Sequence, residues 1–181
     1  IKSSDHLKRL LGLPILGVTP SVKGTDPTAH SLTTALQPTS ALAESFRSLR
    51  TNLLFSSAEG VPTVIALTSA MPSEGKSSSC LNLAAAFAQS KSKVLLIDAD
   101  MRKPTVHKRL KLDNSVGLSN FLTSQSDVSD VIQETMIDGV SAITAGPLSP
   151  NPSELLSSKR IEDVFQLAPN QFDLVIIDCP P

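Results

Sequence analysis

The run Ala70-Met71-Pro72-Ser73-Glu74-Gly75-Lys76-Ser77 ends in the triplet that closes a phosphate-binding loop, G-x-x-x-x-G-K-[ST], with Ala70 in place of the first glycine. Each residue type has a physical task. Gly75 lets the backbone curl so that its N–H groups face phosphate oxygens. Lys76 places a cation on the outer phosphates, and Ser77 offers a hydroxyl to a magnesium ion. A helix starting behind the loop adds a favourable dipole for anions. Three carboxylates accompany the loop. KVLLIDAD carries Asp98 and Asp100 at its end, and FDLVIID ends in Asp178. In open parallel sheets ligands bind at the carboxyl ends of strands, so these acids are expected to converge on the loop. Magnesium needs few carboxylates once phosphate oxygens are present. The constellation predicts a site for a nucleoside triphosphate, ATP, with Mg²⁺. Arg102 and Lys103 follow directly and read either as a solvated turn or as charge near a transferring phosphoryl group or a subunit contact.

The surrounding pattern supplies the elements that such residues need. TVIALTS (63–69), KVLLIDA (93–99) and FDLVIID (172–178) are apolar runs without alternation, separated by helical stretches over 76–90 and 153–168. Short helices are expected near 117–123 and 127–134, and VSAITA (140–145) reads as a further strand. Strands of this kind indicate a parallel sheet covered on both faces, an α/β fold. Upstream, Leu42, Phe46, Leu49 and Leu53 repeat at +4, +3 and +4, the stripe of an amphipathic helix with Ser40 as N-cap and Glu44 in its first turn. Residues 7–19 read as a helical turn, a Gly-Leu-Pro break and a β-type run from Ile15 to Thr19; 20–40 read as an exposed Pro/Thr/Ser-rich linker.

Composition narrows the function classes. The 181 residues suit one domain, and a net charge of −1 gives no electrostatic footprint for nucleic acid. Aromatics make up 3% of the chain, with no Trp and no Tyr, too few to build base-stacking platforms. Cys80 and Cys179 lack metal-ligand spacing and read as small core residues. No apolar run reaches the length of a membrane-spanning helix. The start without Met and the stop just past Asp178 predict a piece of a longer protein: 1–38 follow a presumed membrane region, and 39–181 form a P-loop domain truncated at its C-terminal end.

Four segments in order, ALAESFRSLRTNLLF, TSAMPSEGKSSSCLNLA, KVLLIDADMRKP and FDLVIIDCPP, together with ITAGPLSPNPSELLSS, resemble the cytoplasmic domain of bacterial tyrosine kinases of the Wzc/CapB-like, polysaccharide-export type. The resemblance runs from about residue 7 to the end. It implies a P-loop fold of the deviant-Walker lineage shared with MinD- and ParA-type ATPases. It also implies transfer of phosphate from MgATP to tail tyrosines of neighbouring subunits. Ser73, Glu74, Gly75, Lys76, Ser77 and Ser78 would hold the nucleotide, with Ser77, Asp100 and the Walker B acid Asp178 on Mg²⁺, and Asp98 near the attacked tyrosine hydroxyl.

The same resemblance gives Glu44, Arg47 and Arg50 to subunit contacts in a ring-like oligomer, on a helix face away from the apolar stripe. It further implies a membrane co-polymerase region, fused or separate, a cognate tyrosine phosphatase, and a place on the cytoplasmic face of the inner membrane. LKRLLGLPILGVTP is similar to the stretch after the second transmembrane helix of fused members, so the fused form is expected. Two features depart from the pattern: Ala70 and Ser73 stand where glycine is common, and the chain has no tyrosine of its own to modify. Two other readings stay open, a partitioning- or septum-type ATPase and an assembly module whose nucleotide state sets oligomerisation. The former carries an extra lysine early in the loop, where this chain has Met71.

Overall fold

The computed structural model describes residues 12–21, 30–56 and 60–181. At its centre is a five-stranded sheet of β1 (Val64–Leu67), β2 (Val94–Asp98), β3 (Ile132–Glu134), β4 (Val140–Ile143) and β5 (Leu174–Asp178), in the order β1-β5-β2-β4-β3. The helices are α1 (Thr33–Leu36), α2 (Ala41–Leu54), α3 (Lys76–Ala88), α4 (Val106–Leu110), α5 (Leu118–Leu122), α6 (Val128–Val131), α7 (Pro152–Leu156) and α8 (Arg160–Gln171). β2 and β5 are buried at every position, as their unbroken apolar sequences require. Their side chains still alternate between faces. Val94, Leu96, Leu174 and Ile176 join a core with Phe46, Leu81 and Phe87; Leu95, Ile97, Val175 and Ile177 join another with Phe121, Leu122 and Val164.

The expected parallel sheet is in fact mixed. β1, β5, β2 and β4 run parallel, but β3 pairs antiparallel with β4 at the edge. The helix expected over 127–134 therefore ends at Val131, and Ile132–Glu134 turn into that edge strand. Asp127 and Asp130 lock the entry by bonding across the turn, and the short edge gains the only pairing open to it. The helix expected over 153–168 is two helices, α7 and α8, because Ser157 and Ser158 close the first with tight backbone turns. Ser40 caps α2 as expected, its hydroxyl accepting from Ala43 N at 3.2 Å.

The amino-terminal readings fare differently. The turn expected at 7–11 lies outside the described residues, and the β-type run 15–19 is irregular, outside the sheet. Asn52 donates to Leu16 O at 2.7 Å, which ties this run to α2 by a side chain rather than a ladder. Part of the expected linker is built in. Residues 31–34 are buried, and α1 lies on α3 through Asn82, whose side chain accepts from Thr34 N at 2.7 Å and donates to His30 O at 2.9 Å. Gln89 donates to Thr34 O at 2.8 Å. These residues show no apolar period because polar side chains do the docking.

Candidate active site

The loop after β1 delivers its residues to the start of α3. Ser73 (φ 67°) and Gly75 (φ 84°) take left-handed backbone, and Gly75 is the N-cap of α3. Glu74 turns back on the loop, accepting from Met71 N at 3.1 Å. Ser77 and Ser78 occupy the first turn of the helix, where backbone N–H groups lack intrahelical acceptors. Of these, Ser73, Gly75 and Ser77 line an open cleft of about 380 Å³ together with Lys76, Asp100, Arg102, Lys103, Thr105 and Arg109; Glu74 and Ser78 do not line it. Four of the six P-loop residues expected from the sequence therefore line one cleft.

The sheet register brings the acids to the same place. Asp98 pairs with Asp178 across β2 and β5, and Leu67 pairs with Asp178 from the other side. Asp178 is fully buried, and Lys76 donates to its Oδ1. The Lys76 ammonium also lies 3.6 Å from Asp100 Oδ2, with only 7% of the lysine side chain exposed. Burial by itself would lower the Lys76 pKa, but the hydrogen bond and charge of Asp178, helped by Asp100, hold it above the ordinary lysine value. Asp178 Oδ2 is buried without a hydrogen-bond partner.

Asp98 has a different environment. It is fully buried, and its carboxylate accepts from Asp100 N at 3.2 Å, Thr105 N at 3.2 Å and Val106 N at 3.1 Å. It folds the loop after β2 back on itself. Burial, and then the neighbouring Asp178 charge, raise its pKa to about 7 despite those three donors. Asp100 accepts from Lys103 N at 3.1 Å and, unlike Asp98, lines the cleft. Arg102 reaches Ser153 at 3.3 Å, so one of the two cations that followed Asp100 in the sequence links the site to α7.

The residues fit a metal-bound nucleotide. Asp100 and Asp178 share a single ammonium, and Asp178 Oδ2 is buried without a partner, so the pair would accept a cation if Lys76 turned to an anion. Among the described residues no group of three or more His, Cys, Asp or Glu could hold a metal alone.

Glu44, Arg47 and Arg50 do not share one free face. Glu44 and Arg47 pair on the surface, and Arg47 also donates to Pro38 O at 2.7 Å. Arg50 turns inward and donates to Ala86 O and Ser90 Oγ at the end of α3. Positions i, i+3 and i+6 drift by about 120° around a helix, which carries the third residue to the border of the apolar stripe. One residue that sequence reasoning passed over also faces the cleft. Arg109, on α4, stands in the plain basic run His107-Lys108-Arg109, whose pattern holds no signal of a site.

Residues 62–181 match the family model described as an AAA domain. The chain is 44% identical over 145 residues to the tyrosine-protein kinase YwqD of Bacillus subtilis, a match covering 80% of this chain and 61% of that protein. The chain thus spans about three-fifths of that relative's length. The solved BceF tyrosine kinase domain superposes with a TM-score of 0.89 at 37% identity, over 100% of this chain and 77% of that one. The cell division ATPase MinD of Pyrococcus furiosus is more distant, with a TM-score of 0.56 at 26% identity over 65% of this chain and 49% of its own. The expected lineage holds, and the kinase branch is the nearer of the two. With the family model matched over 62–181 and a tyrosine kinase domain superposed over the whole chain at 37% identity, the chain belongs to the AAA-domain family and, within it, to the bacterial tyrosine-kinase domains.

Proposed function

We propose that the chain is the MgATP-dependent catalytic domain of a protein-tyrosine kinase that modifies tail tyrosines of neighbouring subunits. The observation that carries this is the Lys76 ammonium held between Asp178 and Asp100 at the mouth of the P-loop. ATP would draw Lys76 off the carboxylates onto phosphate oxygens, with Ser73, Glu74, Gly75, Ser77 and Ser78 contributing the surrounding loop and helix start. Asp100, Asp178 and Ser77 would then hold Mg²⁺. The ion supplies neutralisation of charge on the transferring phosphoryl group. Asp98 is assigned to the tyrosine hydroxyl: a carboxyl with a pKa of about 7 can take a phenolic proton near neutrality. That role requires the loop over 99–105 to release its backbone bonds to Asp98. The chain has no Tyr, so the acceptor is necessarily outside these 181 residues.

The wider setting belongs to the same reading. Glu44 and Arg47, on the exposed face of α2, are assigned to subunit contacts in a ring-like oligomer, and Arg50 supports them by joining α2 to α3. No helix among the described residues is long and apolar enough to cross a membrane. Attachment to the cytoplasmic face of the bacterial inner membrane is assigned, from the family resemblance, to a co-polymerase region, fused or separate, in capsule or exopolysaccharide export. A tyrosine phosphatase would reverse the modification. The test is transfer of label from γ-labelled ATP to tyrosine in the full natural chain, against the same protein with Lys76→Met. Tyrosine labelling that depends on Lys76 and Mg²⁺ is expected. Nucleotide hydrolysis with no labelled tyrosine would replace this reading with that of a MinD-type ATPase.

A further inference from the structure

Arg109 is a half-buried cation with no anionic partner among the described residues. Its Nη1 donates to two neutral hydroxyls, Ser31 Oγ and Ser78 Oγ. The contrast with Lys76 is direct. Lys76 has two carboxylates, whereas Arg109 has none, although both border the same cleft. Withdrawing a guanidinium from water without a counter-charge is costly, and its other donors are left for a ligand that is flat or bidentate in its acceptors. Ser78 sits in the first turn of α3, next to Ser77, so the hydroxyl that Arg109 grips lies at the phosphate end of the helix.

We propose that Arg109 is a phosphate-binding residue of the cleft: it reaches the nucleotide's phosphate chain from α4, beside the first turn of the P-loop helix, and exchanges its two serine hydroxyls for phosphate oxygens. This inference rests on the nucleotide reading above and adds a residue to it. Three features of the structure support it. Arg109 comes from an element that neither the P-loop nor the strand-end acids supply. It bridges the α1 segment to the P-loop helix through Ser31 and Ser78, so it is held in place before any ligand arrives. Burial lowers its pKa while Asp178 and Asp98 oppose that change, so the charge is retained in the cleft at neutral pH.

Calorimetric binding of MgADP and MgATP to the full chain, wild type, Arg109→Gln and Arg109→Lys, tests the assignment, with thermal melting of each protein without nucleotide. Arg109→Gln is expected to weaken MgADP about tenfold and to steepen the loss with added salt less than wild type. Arg109→Lys, which keeps the charge but loses the planar fork, should fall between wild type and Arg109→Gln. The nucleotide-free melting temperature of Arg109→Gln should equal or exceed that of wild type, since an unpaired half-buried charge has been removed. If wild type binds no nucleotide, the nucleotide reading falls and this inference with it. If wild type binds and Arg109→Gln binds equally well, the inference alone falls. It also falls if both variants lose affinity in step with a lowered nucleotide-free melting temperature, because Arg109 would then be a packing residue.

Discussion

Replacing Lys76 with Met leaves an unbranched side chain one heavy atom shorter and removes the ammonium between Asp100 and Asp178. The lysine side chain is 7% exposed and that of Asp178 is 0% exposed, so water does little to replace the lost partner. A buried carboxylate deprived of its cation is strongly destabilising, by about 3–5 kcal/mol. The chain can limit the loss by protonating one carboxyl. That costs about 1.4 kcal/mol for each pH unit above the ordinary aspartate value near 3.9, hence about 4 kcal/mol at pH 7 and about 1.5 kcal/mol at pH 5. For a domain of this size about 4 kcal/mol corresponds to a fall of ~8–16 °C in melting temperature. The sign follows from linkage. The variant's carboxyl holds its proton more tightly folded than unfolded, so the deficit grows as pH rises from 4 to 7. Urea and thermal denaturation of both proteins at pH 5 and pH 7, in EDTA and then in millimolar Mg²⁺, read each part. Mg²⁺ should recover part of the loss at pH 7 by mass action. A variant as stable as wild type at pH 7, or a deficit that does not change between pH 5 and pH 7, would refute the reasoning.

Asp98→Asn should flatten the pH dependence of stability between about pH 4 and pH 7. Its folded-state pKa of about 7 lies above the unfolded value, so the ionised group costs stability increasingly across that window, by roughly 4 kcal/mol at most; parallel urea titrations of both proteins show it. Arg50→Ala should cost about 1 kcal/mol, because the guanidinium caps the carbonyl of Ala86 at the end of α3, whereas Arg47→Ala, losing a surface pair, should cost less than about 0.5 kcal/mol. In sedimentation velocity the order should reverse, with Arg47→Ala weakening self-association more than Arg50→Ala.

The legible parts of the molecule were those encoded within a few residues of chain. The Gly75-Lys76-Ser77 triplet, the apolar runs that became β2 and β5, and the +4, +3, +4 stripe of α2 each state their own geometry, because helix and strand periods are local properties of the backbone. The strand-end position of Asp98, Asp100 and Asp178 was legible for the same reason. What distinguished the three acids was not. β5 inserts between β1 and β2, and that pairing sets Asp178 beside Asp98 and under Lys76. Asp98 consequently became a buried anchor for its own loop, while Asp100 reached the cleft.

Three departures share one cause. The antiparallel edge strand β3, the docked segment 31–34 and the inward turn of Arg50 are all decided by a partner distant in sequence. A short stretch such as Ile132–Glu134 has weak local preference, and the exposed edge of β4 settles it. Ser31, Thr34 and Asn82 look solvent-directed in sequence because their types are polar, yet all three are buried, with Ser31 Oγ bonded to Ser78 Oγ and Asn82 bonded to Thr34 N and His30 O. The sequence by itself determined that this chain carries a phosphate loop followed by acids at strand ends. Only the tertiary structure decided which two acids meet Lys76, which is sealed away, and that Arg109 lines the same cleft as Lys76. Charges act through space, and the order of strands, not the order of residues, sets those distances.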